Sequence, residues 1–185
     1  MGGQENRRVL VVDDEPSMHE DFRSVLASPA MAAADAQFDQ LEARVFSAAS
    51  RRERRGFDIR SAHQGREGLD LARGAALEGM PFAVAFVDMR MPPGWDGLQT
   101  ATELWKLDPS MQIVFCTAYS PYSWDEALEN FERHDRLLVI KKPFDPIEVW
   151  QAACTLCAKW NFERHAHAKI ARLEEQVGQR SASPS

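Results

Sequence analysis

AFVDMRMPPGWDG, residues 85–97, joins an apolar run to a Pro/Gly-rich turn through a single acid, Asp88. The run upstream, FAVAFV (82–87), is continuously apolar. That pattern belongs to a strand covered on both faces, not to one with a face in water. Pro92 and Pro93 lack the N–H that a further strand would need, so the strand stops here. A carboxylate at such a strand end is either a turn former or a reactive group. What the other strand ends carry decides between the two.

Outward from this stretch the same arrangement recurs. RVLVV (8–12) is a short β-branched run closed by Asp13 and Asp14. Pro16 then opens a helical pattern, PSMHEDFRSVLA, with Met18, Phe22, Val25 and Leu26 on one face. FDIRSA (57–62) alternates and predicts a second strand, followed by the helix GREGLDLARGAALEG. After the Asp88 strand come the helix GLQTATELWKLD and the strand MQIVFC (111–116), which ends at Thr117. SWDEALENFERH predicts another helix, and RLLVIK (136–141) a fifth strand running into Lys142-Pro143. A long helical stretch begins near Asp145. Five alternations of strand and helix imply an α/β protein with a doubly wound parallel sheet. Open α/β sheets bind ligands beyond the carboxyl ends of their strands. One edge therefore collects Asp13, Asp14, Asp88, Thr117 and Lys142.

Three segments stand outside this scheme. Residues 27–56 form an insertion after the first helix, within which DAQFDQLEARVF carries Phe38, Leu41 and Val45 at helical spacing. Past residue 160, where the main domain (1–160) should have finished covering its sheet, residues 161–179 continue as a linker helix. There Ala166, Ile170, Leu173 and Val177 recur at alternating spacings of four and three, the period of a coiled-coil seam. Arg172, Lys169, Glu174 and Glu175 fit its solvated flanks. The alternative is an amphipathic helix lying back on its own domain. Residues 180–185, including SASPS, have the composition of a disordered tail.

Composition narrows the function classes. The chain has 185 residues, 44% of them hydrophobic, and a net charge of −6. That balance argues against a general nucleic-acid or anionic-membrane binder. The basic run RRERRG (51–56) reads as a solvated loop. Cys116, Cys154 and Cys157 make no disulfide framework. The C-x-x-C of Cys154 and Cys157 lies in a helical stretch with no second ligand pair, so a cytoplasmic, reducing compartment is expected. No run is long and apolar enough to cross a membrane. The N-terminus lacks the apolar core of a secretory signal, and Asn6 stands where a myristoylation signal needs Ser or Thr.

The acid cluster has its own chemistry. Three carboxylates at one sheet edge repel each other, and a hard divalent cation relieves the conflict; Mg²⁺ suits a few carboxylates, a carbonyl and several waters. A carboxylate such as Asp88 can attack phosphorus to form an aspartyl phosphate. Lys142 can pair with one phosphoryl oxygen, and the Thr117 hydroxyl can bond another. Taken singly, an Asp-Asp turn, a strand-end Thr or a Lys-Pro is uninformative. Their joint placement at four strand ends is specific.

VLVVDDEPSMHEDF, VDMRMPPGWDG, VFCTAYS and VIKKPFD closely resemble the receiver domain of two-component response regulators, over about Arg8 to Trp160 apart from the insertion. The resemblance implies a flavodoxin-like five-stranded sheet of order 2-1-3-4-5. It implies Asp88 as phospho-acceptor, and Asp13, Asp14, Asp88 and the main-chain carbonyl of Arg90 as ligands of Mg²⁺. Thr117 and Lys142 match the switch hydroxyl and the phosphate-binding lysine, and Ala118 a small position beside the phosphoryl group. The Lys142-Pro143 bond is expected to be cis. The implied partner is a histidine kinase or phosphotransfer protein. Further partners weighed are a second copy paired through the C-terminal helix and a covalently linked output domain of a larger signalling protein.

The departures are local. MPPGWDG holds one residue more than the family's spacing before its glycine, which predicts a displaced start for the following helix. Val139 stands where the family often has an aromatic switch residue, leaving Tyr119 or Tyr122 as substitutes. Arg90 and Tyr119 are bulky at positions that tune phosphate lifetime, which predicts slow decay. Two other functions compete with a phospho-accepting domain that performs no turnover. A phosphohydrolase with an aspartyl-phosphate intermediate needs a general acid two residues after its nucleophile, where this chain has Arg90. A non-phosphorylated interaction module of the same fold would have no use for the acid set. No basic helix-turn-helix, nucleotide-binding glycine motif or kinase-like setting for His165 and His167 is present, so the output is not written in the sequence.

Overall fold

The computed structural model describes residues 5–27, 56–118 and 134–181. The helix expected within residues 27–56, the helix at 123–134, Tyr119, Tyr122 and the end of the tail lie outside them. Five strands form one parallel sheet: β1 (Arg8–Val12), β2 (Asp58–Ala62), β3 (Val84–Asp88), β4 (Gln112–Thr117) and β5 (Leu137–Lys141), in the order β2-β1-β3-β4-β5. The alternation predicted the parallel sheet, and the order is the flavodoxin-like one that the resemblance implied. The described helices are α1 (Pro16–Leu26), α2 (Gly65–Leu77), α3 (Gly97–Leu107) and α4 (Pro146–Ser181).

The strands are apolar throughout because both faces are covered. Val9 and Val11 of β1, Val84 and Phe86 of β3, and Val114 and Cys116 of β4 point to one face, where Phe22 of α1 and Val149, Trp150 and Trp160 of α4 pack on them. The alternating residues Leu10, Val12, Ala85, Val87, Ile113 and Phe115 point the other way, onto Leu69 and Ala72 of α2 and Leu104 and Trp105 of α3. Burying each of these larger side chains stabilises the fold by about 1.5–3 kcal/mol before conformational entropy is counted. At the edge of the sheet, β2 keeps the alternation seen in its sequence, with Asp58 and Arg60 exposed.

Two details refine the sequence expectations. Asp88 and Thr117 are the last residues of their strands, not the first residues after them, so the ladder itself fixes their backbones. On α1 the buried residues are His19, Phe22, Val25 and Leu26, and Met18 is only partly buried. The insertion leaves and returns at neighbouring points: a Cβ on Gly56 would lie 3.9 Å from the Leu26 carbonyl oxygen.

α4 runs unbroken for 36 residues, about 54 Å at the α-helical rise. Its first half covers the sheet. Beyond Asn161 its apolar side chains are exposed: Phe162 at 75%, Ile170 at 52%, Leu173 at 50% and Val177 at 64%. These side chains are not packed on the domain.

Candidate functional site

Register assembles the site. Val12 pairs with Val87, so Asp13 and Asp88 end adjacent central strands at the same level. Asp88 pairs with Cys116, and Thr117 with Lys141, which delivers Lys142 to the same edge. The Lys142 N–H donates to the Thr117 carbonyl at 2.7 Å, extending the ladder by one residue. The peptide bond from Lys142 to Pro143 is cis, as expected, and so is the Pro92-Pro93 bond.

The lysine ammonium stands between the two buried acids. Lys142 Nζ lies 2.7 Å from Asp13 Oδ2 and 2.5 Å from Asp88 Oδ1. The remaining carboxylate oxygens take backbone donors: the Glu15 N–H gives to Asp13 Oδ1 at 3.0 Å, and the Arg90 N–H gives to Asp88 Oδ2 at 2.7 Å. Burial pushes the Asp13 carboxyl above its ordinary pKa, against the Lys142 hydrogen bond and the Glu15 N–H, which hold it down. Burial also works against the Lys142 charge, but its bonds and attraction to Asp13 and Asp88 outweigh that and raise its pKa.

The structure brings together Asp13, Asp88 and Lys142, with Thr117 buried at the neighbouring strand end. Asp14 is exposed, one residue beyond the pair. Among the described residues no three ligating side chains stand together as a ready cation cage. The donor chemistry nevertheless fits a hard cation: the acids offer oxygens, Asp13 is desolvated enough to favour a positive neighbour, and Mg²⁺ needs only one or two carboxylates beside its waters.

The loop after β3 runs from Met89 to Asp96 and leads into α3 at Gly97. A turn closes with the Gly94 N–H on the Met91 carbonyl at 3.0 Å. Asp96 then caps α3, accepting from the Gln99 N–H at 2.8 Å. Gly97 fits under the end of β3, where a Cβ would come within 2.6 Å of the Asp88 carbonyl oxygen. Trp95, from the same loop, is half-buried with the Arg66 guanidinium 5.1 Å from its ring centre.

Sequence reasoning missed His19. It is buried, with Nε2 2.8 Å from the Asp13 carbonyl oxygen and its ring T-stacked on His63 at 4.5 Å. Since a carbonyl only accepts, Nε2 carries the hydrogen. Its spacing of three and seven residues from Phe22 and Leu26 was the available signal.

The response regulator receiver domain model matches residues 39–153. That span holds Asp88, Thr117 and Lys142 and begins after β1 and its two acids, although β1 lies inside the sheet between β2 and β3. No protein among the curated sequences matches the chain. Among solved structures, the chain is similar to a response regulator receiver protein from Sinorhizobium medicae WSM419, at 20% identity over 83% of this chain and 95% of that one, with a TM-score of 0.57. A receiver domain protein described as CheY-like from Methanospirillum hungatei JF-1 matches at 20% identity over 84% and 97%, TM-score 0.56. An adenylate cyclase from Rhodopirellula baltica matches at 18% over 90% and 98%, TM-score 0.62. These likenesses speak for the fold, and the match of the receiver model to more than half of the sequence speaks for the family: the chain belongs to the response regulator receiver domains.

Proposed function

We propose that this domain accepts a phosphoryl group on Asp88 from the phosphohistidine of a histidine kinase or phosphotransfer protein. The observation that carries this is the Lys142 ammonium held between two buried acids at the end of the central strands. An Asp88 oxygen attacks phosphorus, the P–N bond breaks, and its electron pair returns to the imidazole of the donor. Lys142, already bonded to Asp88 Oδ1, is placed to follow a phosphoryl oxygen. The Arg90 N–H orients the second Asp88 oxygen. Asp13, Asp14, Asp88 and the Arg90 carbonyl would hold Mg²⁺, which neutralises charge on the transferring group when bound. The Thr117 hydroxyl serves as the switch. The domain performs this transfer on itself and turns over no other substrate. It acts in a two-component pathway in the cytoplasm; no helix among the described residues is long and apolar enough to cross a membrane. Its output passes through α4, by conformational change or dimerisation, or to a linked output domain.

The test is intact-mass spectrometry after incubation with Mg²⁺ and a small acyl phosphate. Wild type should gain one phosphoryl group and Asp88→Asn none. Equal labelling of the two proteins would defeat the assignment.

A further inference from the structure

We propose that the exposed stripe of α4 is the seam of a parallel, two-stranded coiled coil with a second copy of this chain. The domain's hold on the helix ends in a short span. Trp160 and Asn161 are buried, and Glu163 is tied to Arg136 at 2.7 Å. Four residues of large apolar surface follow in water: Phe162, Ile170, Leu173 and Val177. At 3.6 residues per turn, these and Ala166 fall within a sector of about 80°. The opposite face, with Arg164, Ala168 and Ala171, borders a cleft against the amino edge of the sheet. The seam therefore points away from its own domain.

The pattern selects the occupant. Placing Ile170 and Val177 at a positions puts Ala166 and Leu173 at d. β-branched residues at a with Leu at d favour two parallel strands. Lys169 then occupies a g position and Glu174 the following e position. In a parallel pair each g side chain faces the next e of its partner, so Lys169 meets Glu174 of the partner subunit, twice by symmetry. An antiparallel pair sets g beside g and e beside e, and this attraction is lost. The segment is short for an isolated helix, but α4 is already nucleated by the part packed on the sheet. The pairing does not rest on phosphoryl chemistry at Asp88.

The experiment is sedimentation equilibrium of the full chain without phosphodonor, from low to high micromolar concentration. Helical content is followed by circular dichroism. Wild type should shift from monomer to dimer mass with concentration. Leu173→Glu and Ile170→Lys, both at half-exposed positions, should stay monomeric with helicity retained. Lys169→Glu and Glu174→Lys should each weaken the dimer about tenfold, and the double exchange should restore it to within about twofold of wild type. A wild type that stays monomeric throughout, or a dimer indifferent to Leu173→Glu and Ile170→Lys, overturns the seam. A dimer lost with those two variants but indifferent to the charge exchanges overturns the parallel pairing.

Discussion

The two ends of the sheet hold the chain by opposite means. At the carboxyl edge a half-buried ammonium bridges two buried carboxylates. At the amino edge two neutral amides clasp each other: the Asn6 N–H gives to Asn161 Oδ1 at 2.9 Å, and Asn161 Nδ2 gives to the Asn6 carbonyl at 2.8 Å. The same Asn161 Nδ2 reaches the Cys157 carbonyl, while Asn6 Nδ2 reaches that of Pro81. Buried charge is a poor way to gain stability, since desolvation offsets most of the attraction. Satisfied amides fix geometry with little desolvation of charge. Charge is thus concentrated where ions and phosphoryl oxygens arrive, and neutral bonds are used where a helix must leave the domain in a fixed direction.

The largest effect should come from breaking the charged edge. Lys142→Met leaves Asp13 and Asp88 buried without their cation, at a cost of about 3 kcal/mol near neutral pH. With Lys142 gone, the Asp13 carboxyl loses the hydrogen bond and the attraction of the ammonium and keeps only the Glu15 N–H to lower its pKa, so that pKa rises further above its ordinary value of 3.8. A carboxyl with a raised folded pKa takes up protons on folding, and its unfavourable contribution grows as pH rises through the window above 3.8. The variant should therefore recover stability relative to wild type as pH falls from 7.5 toward 5. Urea denaturation at the two values measures this. An equal deficit at both would mean that Asp13 does not change its protonation on unfolding in that window.

Breaking the neutral edge should cost less and leave the chemistry alone. Asn161→Ala removes three hydrogen bonds, two across the clasp and one within the helix, for about 2 kcal/mol. The rate of phosphoryl uptake from an acyl phosphate should be unchanged, because nothing at the carboxyl edge touches Asn161. If uptake slows in step with stability, the two ends are coupled and the contrast between them fails.

The contrast also marks what could be read from the sequence. The carboxyl edge was legible because each of its residues follows an apolar run: strand ends are set by local pattern, and a parallel sheet gathers them whatever lies between. Asp13, Asp88, Thr117 and Lys142 needed no long-range inference beyond strand order. The clasp was not legible. Asn6 and Asn161 are 155 residues apart, neither belongs to a motif, and their meeting depends on where α4 ends up on the sheet. His19 lies between these cases. Helical period allows either Met18 or His19 on the buried face, and polarity favours Met18. The structure instead buries the histidine because its ring N–H finds the Asp13 carbonyl.

That histidine gives the smallest prediction and a sharper view of the charged edge. Burial lowers the His19 pKa below its ordinary value of 6.5, with the positive charges of His63 and Arg23 acting the same way, against the Asp13 carbonyl and carboxylate. A group whose folded pKa is depressed contributes stability that is complete above the unfolded value and is lost as pH falls through the folded one. His19 should therefore lower stability as pH drops below 6.5. Asp13, with its raised pKa, should add stability over the acidic part of the same descent. The two residues share a hydrogen bond yet pull the pH profile in opposite directions, so their contributions partly cancel as pH falls. His19→Gln removes one contribution and leaves the other. The variant should then gain stability relative to wild type as pH falls below 6.5, by under about 1 kcal/mol. Urea denaturation at half-unit steps of pH, without divalent cations or phosphodonor, resolves a difference of that size. Parallel profiles for wild type and variant would show that His19 does not change its protonation on unfolding.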